Sequence, residues 1–82
     1  MRLDKYLKNT RLIKRRTVAN DACDAGRISV NGKVARASYD VKIGDRIEIG
    51  LGAAPLTVEV LEVPESATKE SAAGAYRVVS NG

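Results

Sequence analysis

Residues 11–32, RLIKRRTVANDACDAGRISVNG, carry the passage from helix to sheet on which the fold turns. From Arg15 or Arg16 to Ala25 the spacing is helical, with Val18, Ala19, Ala22 and Cys23 on one face. Gly26 stands where a helix ends in a left-handed residue. Ile28 and Val30 then alternate with polar residues, and Asn31-Gly32 is a strong short signal for a type I′ hairpin turn. A two-residue loop pairs Val30 with Lys33 and Ser29 with Val34, and sets Arg27 opposite Arg36. One detail runs against helix electrostatics. Lys14, Arg15 and Arg16 crowd the amino end of the helix while Asp21 and Asp24 lie near its carboxyl end. The macrodipole favours the reverse by roughly 0.3–1 kcal/mol per exposed charge, so an anion is expected at the amino end.

On the amino-terminal side, residues 3–10 read as a helix with Leu3, Tyr6, Leu7 and Thr10 on one stripe. Arg2, Lys5 and Asn9 fall on a flank away from it, with Lys8 beside them, and Leu12 and Ile13 plug the corner between the helices. On the other side, Ile43-Gly44-Asp45 is a turn and Ile47 and Ile49 point inward from a strand. GLGAAP at 50–55 reads as a loop. Leu56, Val58 and Val60 alternate in a half-exposed strand, 64–74 is a loop with room for one helical turn, and AYRVVS closes the sheet. The expected fold is α+β: two short helices packed on a small, mostly antiparallel sheet of four to five strands, in a single domain over 1–82.

Composition narrows the chemistry. The 82 residues contain no histidine and one cysteine, which removes the commonest general base, the usual zinc sites and any internal disulfide. Cys23 lies among small apolar residues and reads as core. No phosphate-binding glycine loop is present, so neither catalytic residues nor a metal or cofactor is expected. No apolar run approaches the roughly 20 residues of a membrane span, and the amino end does not read as a signal peptide. A reducing cytoplasm is the expected location. Charge is divided unevenly: residues 1–46 hold twelve basic and five acidic side chains, while 47–82 hold two and five. That is the outline of a polyanion binder.

The basic cluster sits at a helix amino terminus, where free backbone N–H groups already favour anions. Arg2, Lys5 and Lys8 approach from the first helix, and Lys33 and Arg36 from the hairpin. Aromatic platforms for single-stranded bases are scarce: there is no Phe or Trp, Tyr6 and Tyr76 read as structural, and Tyr39 alone is a candidate for stacking. Phosphate and shape recognition of structured RNA is the expected mode.

RLDKYL, a basic turn, a helix ending in AG, RISVNGK and then VKIGDRI together resemble the S-four-type RNA-binding domain over residues 2–49, with strands 56–79 outside that core motif. The resemblance implies the alpha-L RNA-binding fold and no enzymatic activity. Without an attached catalytic domain in these residues, the chain is most similar to stand-alone bacterial members, above all the RqcP family of ribosome-associated quality control. That family implies binding to large-subunit rRNA and peptidyl-tRNA on obstructed subunits. It also implies partnership with the tail-elongating factor RqcH in adding alanines to stalled chains, and action as a monomer. By position, Arg2 and Arg16 are the leading RNA contacts, with Arg11, Lys14 and Arg15 in support, Lys5 and Lys8 on the rim, and Lys33 and Arg36 on the hairpin. Recycling of stalled subunits in the manner of the heat-shock-protein-fifteen branch stays open, as does service as an accessory subunit of an RNA-modifying enzyme. Many relatives place a serine at the cap of the second helix; here a basic residue stands instead, forgoing about 1 kcal/mol of capping.

Overall fold

The computed structural model describes residues 1–50, 55–63 and 74–81. Helix α1 spans Leu3–Asn9 and α2 spans Arg16–Asp24; strands follow at Ile28–Val30 (β1), Lys33–Val34 (β2), Arg46–Ile49 (β3), Leu56–Val60 (β4) and Tyr76–Asn81 (β5). All neighbouring strands are antiparallel and their order is β2-β1-β3-β4-β5. Two helices on an open five-stranded sheet is the architecture expected. The loop readings at 51–54 and 64–73 fall outside the described residues.

The hairpin obeys its turn chemistry. Asn31 and Gly32 both take positive φ (54° and 85°), as a type I′ turn requires, and Val30 pairs with Lys33 and Ser29 with Val34. The expected Arg27–Arg36 opposition does not form. The ladder runs out one bond later, where Ala35 N–H donates to the Ile28 carbonyl, and the Arg27 backbone turns to Ala22 and Gly50 instead. Gly26 (φ 75°) makes that change of direction possible without a Cβ penalty.

Period and burial agree along most of the chain. Leu3, Tyr6 and Leu7 are buried on α1 and Thr10 at its C-cap, Ile47 and Ile49 on β3, and Val58 and Val60 on β4. Ile13 closes the helix corner. The Tyr6 hydroxyl donates to the Ala75 carbonyl at 2.8 Å, tying α1 to the entry of β5. Two helix assignments need correction. Asn9 is buried rather than on an exposed flank, and Val18 is 45% exposed rather than part of the core face. The small face of Ala19, Ala22 and Cys23 lets α2 lie close to its neighbours, which leaves the branched Val18 on the outer rim. Cys23 is core, and burial, with Asp4 and Asp24 adding to it, pushes its thiol up to about 11, so it is no nucleophile at neutral pH.

The first helix is also anchored at its start. Leu3 N–H donates to the Tyr39 carbonyl (2.8 Å), Asp4 N–H to Ala37 (3.2 Å), and Arg2 and Asp40 form an isolated antiparallel bridge. The 37–40 segment therefore fixes the entry of α1 against the sheet.

Candidate nucleic-acid interface

Asp4 organises the corner where the two helices begin. Its side chain is 3% exposed, and every polar partner around it is a donor. Oδ1 accepts from Arg2 Nε (3.1 Å) and the Lys5 backbone N–H (2.8 Å); Oδ2 accepts from Arg2 Nη2 (3.3 Å), Arg16 Nε (3.4 Å) and Asn20 Nδ2 (3.3 Å). Arg16 and Asn20 reach it together because they stand one helical turn apart on α2. Burial alone would raise the Asp4 carboxyl; the hydrogen bonds from Arg2, Asn20 and Lys5 and the nearby charge of Arg16 outweigh it, so the group lies below the ordinary value of 3.8.

The anion expected at the head of α2 is thus partly internal. It neutralises one positive charge while two arginines attend it. Their side chains remain 51% (Arg2) and 50% (Arg16) exposed, so each guanidinium is oriented by Asp4 and still has surface to offer. Arg15, the residue before α2, makes no side-chain cap bond, and the first turn of α2 contains no acidic residue. Among the described residues, the amino-terminal N–H groups of that helix have no capping side chain.

The structure sorts the nine candidate residues into three places. Arg2, Lys5 and Arg16 line one recess of about 510 Å³, with Met1 and Val63. Lys8, Arg11, Lys14 and Arg15 lie outside that recess, following α1 into the head of α2; Lys8, Arg11, Lys14 and Arg15 are all exposed. Lys33 and Arg36 line a separate cleft beside the hairpin. The 37–40 segment accepts backbone hydrogen bonds from the start of α1 and contributes Ser38 and Tyr39 to the hairpin cleft.

Arg11 stands out by its backbone. It follows the carboxyl end of α1 in the left-handed region (φ 63°), with its N–H on the Lys8 carbonyl. Glycine is the usual residue there, and a long side chain costs about 1 kcal/mol.

Sequence reasoning missed Asp4, counting it merely as one of the few front-half carboxylates. The available signal was its place between Arg2 and Lys5 in a first helical turn, facing two donors spaced i, i+4 on the next helix. Reasoning also missed Asp45. Its Oδ1 accepts from Asn31 Nδ2 (3.1 Å) and its Oδ2 from the Tyr39 hydroxyl (2.9 Å) and Lys42 N–H (3.0 Å). Tyr39, the stacking candidate, is therefore half-buried with its hydroxyl held.

With this geometry in view, the sequence comparisons are specific. Residues 1–47 match the S4 domain family. The chain belongs to the S4 domain family. It is 55% identical over 80 residues to the RQC P-site tRNA stabilizing factor of Streptococcus pneumoniae, covering 98% of this chain and 91% of that one. The factor of the same name from Bacillus subtilis is 51% identical over 79 residues, covering 96% and 92%. At that identity and coverage the chain shares a family with these factors. Among solved structures, the trimeric structure of Vibrio cholerae Heat Shock Protein 15 superposes with a TM-score of 0.90 at 28% identity, covering 98% of this chain and 82% of that one. No helix among the described residues is long and apolar enough to cross a membrane.

Proposed function

We propose that this S4 chain is a non-catalytic RNA-binding factor of ribosome-associated quality control. It binds large-subunit rRNA and peptidyl-tRNA on obstructed large subunits in the cytoplasm. There it keeps the tRNA in place while an RqcH-type factor adds alanines to the stalled chain. The relatives named as RQC P-site tRNA stabilizing factors support the process. The observation that carries the chemistry is the Arg2–Asp4–Arg16 corner: two half-exposed guanidiniums from two helices, oriented by one buried carboxylate. Guanidiniums held in this way meet phosphate oxygens with little further loss of side-chain freedom. Lys5 shares their recess, Arg11, Lys14, Arg15 and Lys8 extend the charge, and Lys33 and Arg36 hold a second stretch of backbone. In this reading residues 1–82 act as one domain and one copy is the working unit.

Sedimentation of tagged protein from gently lysed cells tests it, wild type beside an Arg2→Ala, Arg16→Ala double variant. Wild-type protein is expected with large subunits bearing peptidyl-tRNA, and the double variant at the top of the gradient. Association should fall steeply with added salt, because each neutralised phosphate adds to the log–log slope. Salt-independent association, or wild-type protein on another particle, would overturn the reading. A second reading, recycling of stalled subunits without tailing, draws on the Heat Shock Protein 15 likeness. It predicts that subunit association survives removal of RqcH and that loss of this protein leaves alanine tails unchanged.

A further inference from the structure

The cleft beside the hairpin is built differently from the arginine corner. It is an open hollow of about 700 Å³, within the range of about 300–1,000 Å³ that small-ligand clefts occupy. Val30 and Ala35 are buried at its floor, Tyr39 is the aromatic side chain in its lining, and Lys33 and Arg36 are exposed there. Val34 joins them, an apolar side chain 66% exposed on a two-residue strand and not needed by the core.

The polar groups behind the cleft are already spent. The Tyr39 hydroxyl donates to Asp45, and the Asn31 side chain is held by Asp45 and by the Arg46 backbone N–H. Tyr39 is therefore fixed in place. Its N–H on the Arg36 carbonyl (3.0 Å) keeps the aromatic residue and the guanidinium at the two ends of one turn. Among the described residues no carboxylate lines the cleft and neither Lys33 nor Arg36 is in an ion pair. An apolar and aromatic hollow flanked by two unpaired cations suits a ligand with a flat apolar face and an attached anion.

We propose that this cleft takes one unpaired nucleotide of the bound RNA, its base against Tyr39 and Val34 and its phosphate between Lys33 and Arg36. This rests on the RNA-binding reading above and deepens it. The arginine corner grips folded backbone, and the cleft selects RNA in which a base has left its stack. Stacking tolerates any base, so the cleft distinguishes an extruded nucleotide from a paired one rather than one base from another.

The 82-residue chain is small enough for amide NMR titration with adenosine 5′-monophosphate, uridine 5′-monophosphate and ribose 5-phosphate. Both nucleotides are expected to shift the amides of Val34, Arg36, Ser38 and Tyr39, and ribose 5-phosphate to bind there at least about tenfold more weakly. Tyr39→Leu should weaken nucleotide binding about tenfold, while Tyr39→Phe, which keeps the ring and loses the hydroxyl, should stay within about twofold. Val34→Glu, at an exposed position where folding is indifferent to the change, should abolish binding at the cleft even if Tyr39→Leu fails to fold. Equal shifts from ribose 5-phosphate, or nucleotide shifts confined to α1 and α2, would overturn the inference. The gradient experiment separates the two claims. An empty cleft beside intact Arg2- and Arg16-dependent sedimentation sinks the cleft alone; a filled cleft in protein that never meets ribosomes sinks the ribosomal reading alone.

Discussion

Two buried aspartates brace this small domain from either side of the 37–40 segment's contacts, and they are satisfied in different ways. Asp45 takes neutral donors: a tyrosine hydroxyl, an asparagine amide and a backbone N–H. All three converge on one carboxylate, and the result is a fixed turn behind the hairpin. Asp4 takes two arginines as well as an amide and a backbone N–H, and both arginines keep half their side chains in water. A carboxylate satisfied by neutral groups makes structure. One satisfied by an excess of cations makes structure and a positively charged surface together, because its partners' remaining donors face outward. The same residue type, buried in both places, thus does one job behind the hairpin and two at the helix corner.

Replacing each aspartate in turn tests this contrast, and Asp4→Asn should have the larger effect. Every group around Asp4 is a donor, so an asparagine there points its own N–H₂ at donors and strands part of the cluster. The expected loss is about 2–3 kcal/mol of folding stability by chemical denaturation, together with weaker RNA binding as Arg2 and Arg16 lose their common orientation. Asp45→Asn should cost less, about 1–2 kcal/mol, since the Tyr39 hydroxyl can reverse and accept. Its sedimentation with large subunits should be unchanged. If Asp45→Asn abolishes that association, or Asp4→Asn leaves it intact, the two nodes are not divided as argued.

The local elements were legible because each follows from neighbours in sequence. Asn31-Gly32 dictated its turn and the register of the pairs beside it, and the stripes on α1, β3 and β4 told which faces were buried. The failures came where tertiary enclosure decides. The start of α1 is covered on more than one side, by the head of α2 and by the 37–40 segment, so Asp4 beside the apolar stripe is buried, and Asn9 at the other end of the helix is buried as well. A stripe calculation sees one face of a helix; it does not see a second wall. The Arg27–Arg36 pairing failed for one local and one distant reason: the Arg27 N–H donates to the Ala22 carbonyl in closing the end of α2, and the Gly50 N–H, remote in sequence, donates to the Arg27 carbonyl. Of the candidate site, charge and the family resemblance nominated the residues, but the division into an arginine corner and a hairpin cleft belongs to the fold.

Acid should act on both nodes. Burial raises each carboxyl and its hydrogen bonds lower it; the bonds win, so Asp4 and Asp45 both lie below their ordinary 3.8 in the folded protein. The unfolded chain then binds protons first as pH drops. The stability contributed by both groups is fully present above about pH 5, declines as pH passes 3.8, and is lost once pH falls below the folded values. Denaturation midpoints measured from pH 7 down to pH 2 should follow that course, and Asp4→Asn and Asp45→Asn should each flatten part of the slope. A midpoint that rises on acidification would contradict the assigned direction for both.

The smallest effect expected is the only gain. Arg11 occupies the left-handed position after α1 at φ 63°, where a side chain is strained and glycine is not. Arg11→Gly should therefore stabilise the fold, by up to about 1 kcal/mol after the greater freedom of glycine in the unfolded chain is deducted. In a domain of this size that is a rise in Tm of up to about 4–8 °C. The same substitution removes an exposed cation from the basic run between the helices, so RNA binding should weaken and its salt slope fall by about one phosphate. A strained residue whose removal stabilises the fold and impairs binding is kept for the binding. If Arg11→Gly is more stable and binds as well as wild type, Arg11 is merely strained, and the RNA surface ends at the arginines that Asp4 holds.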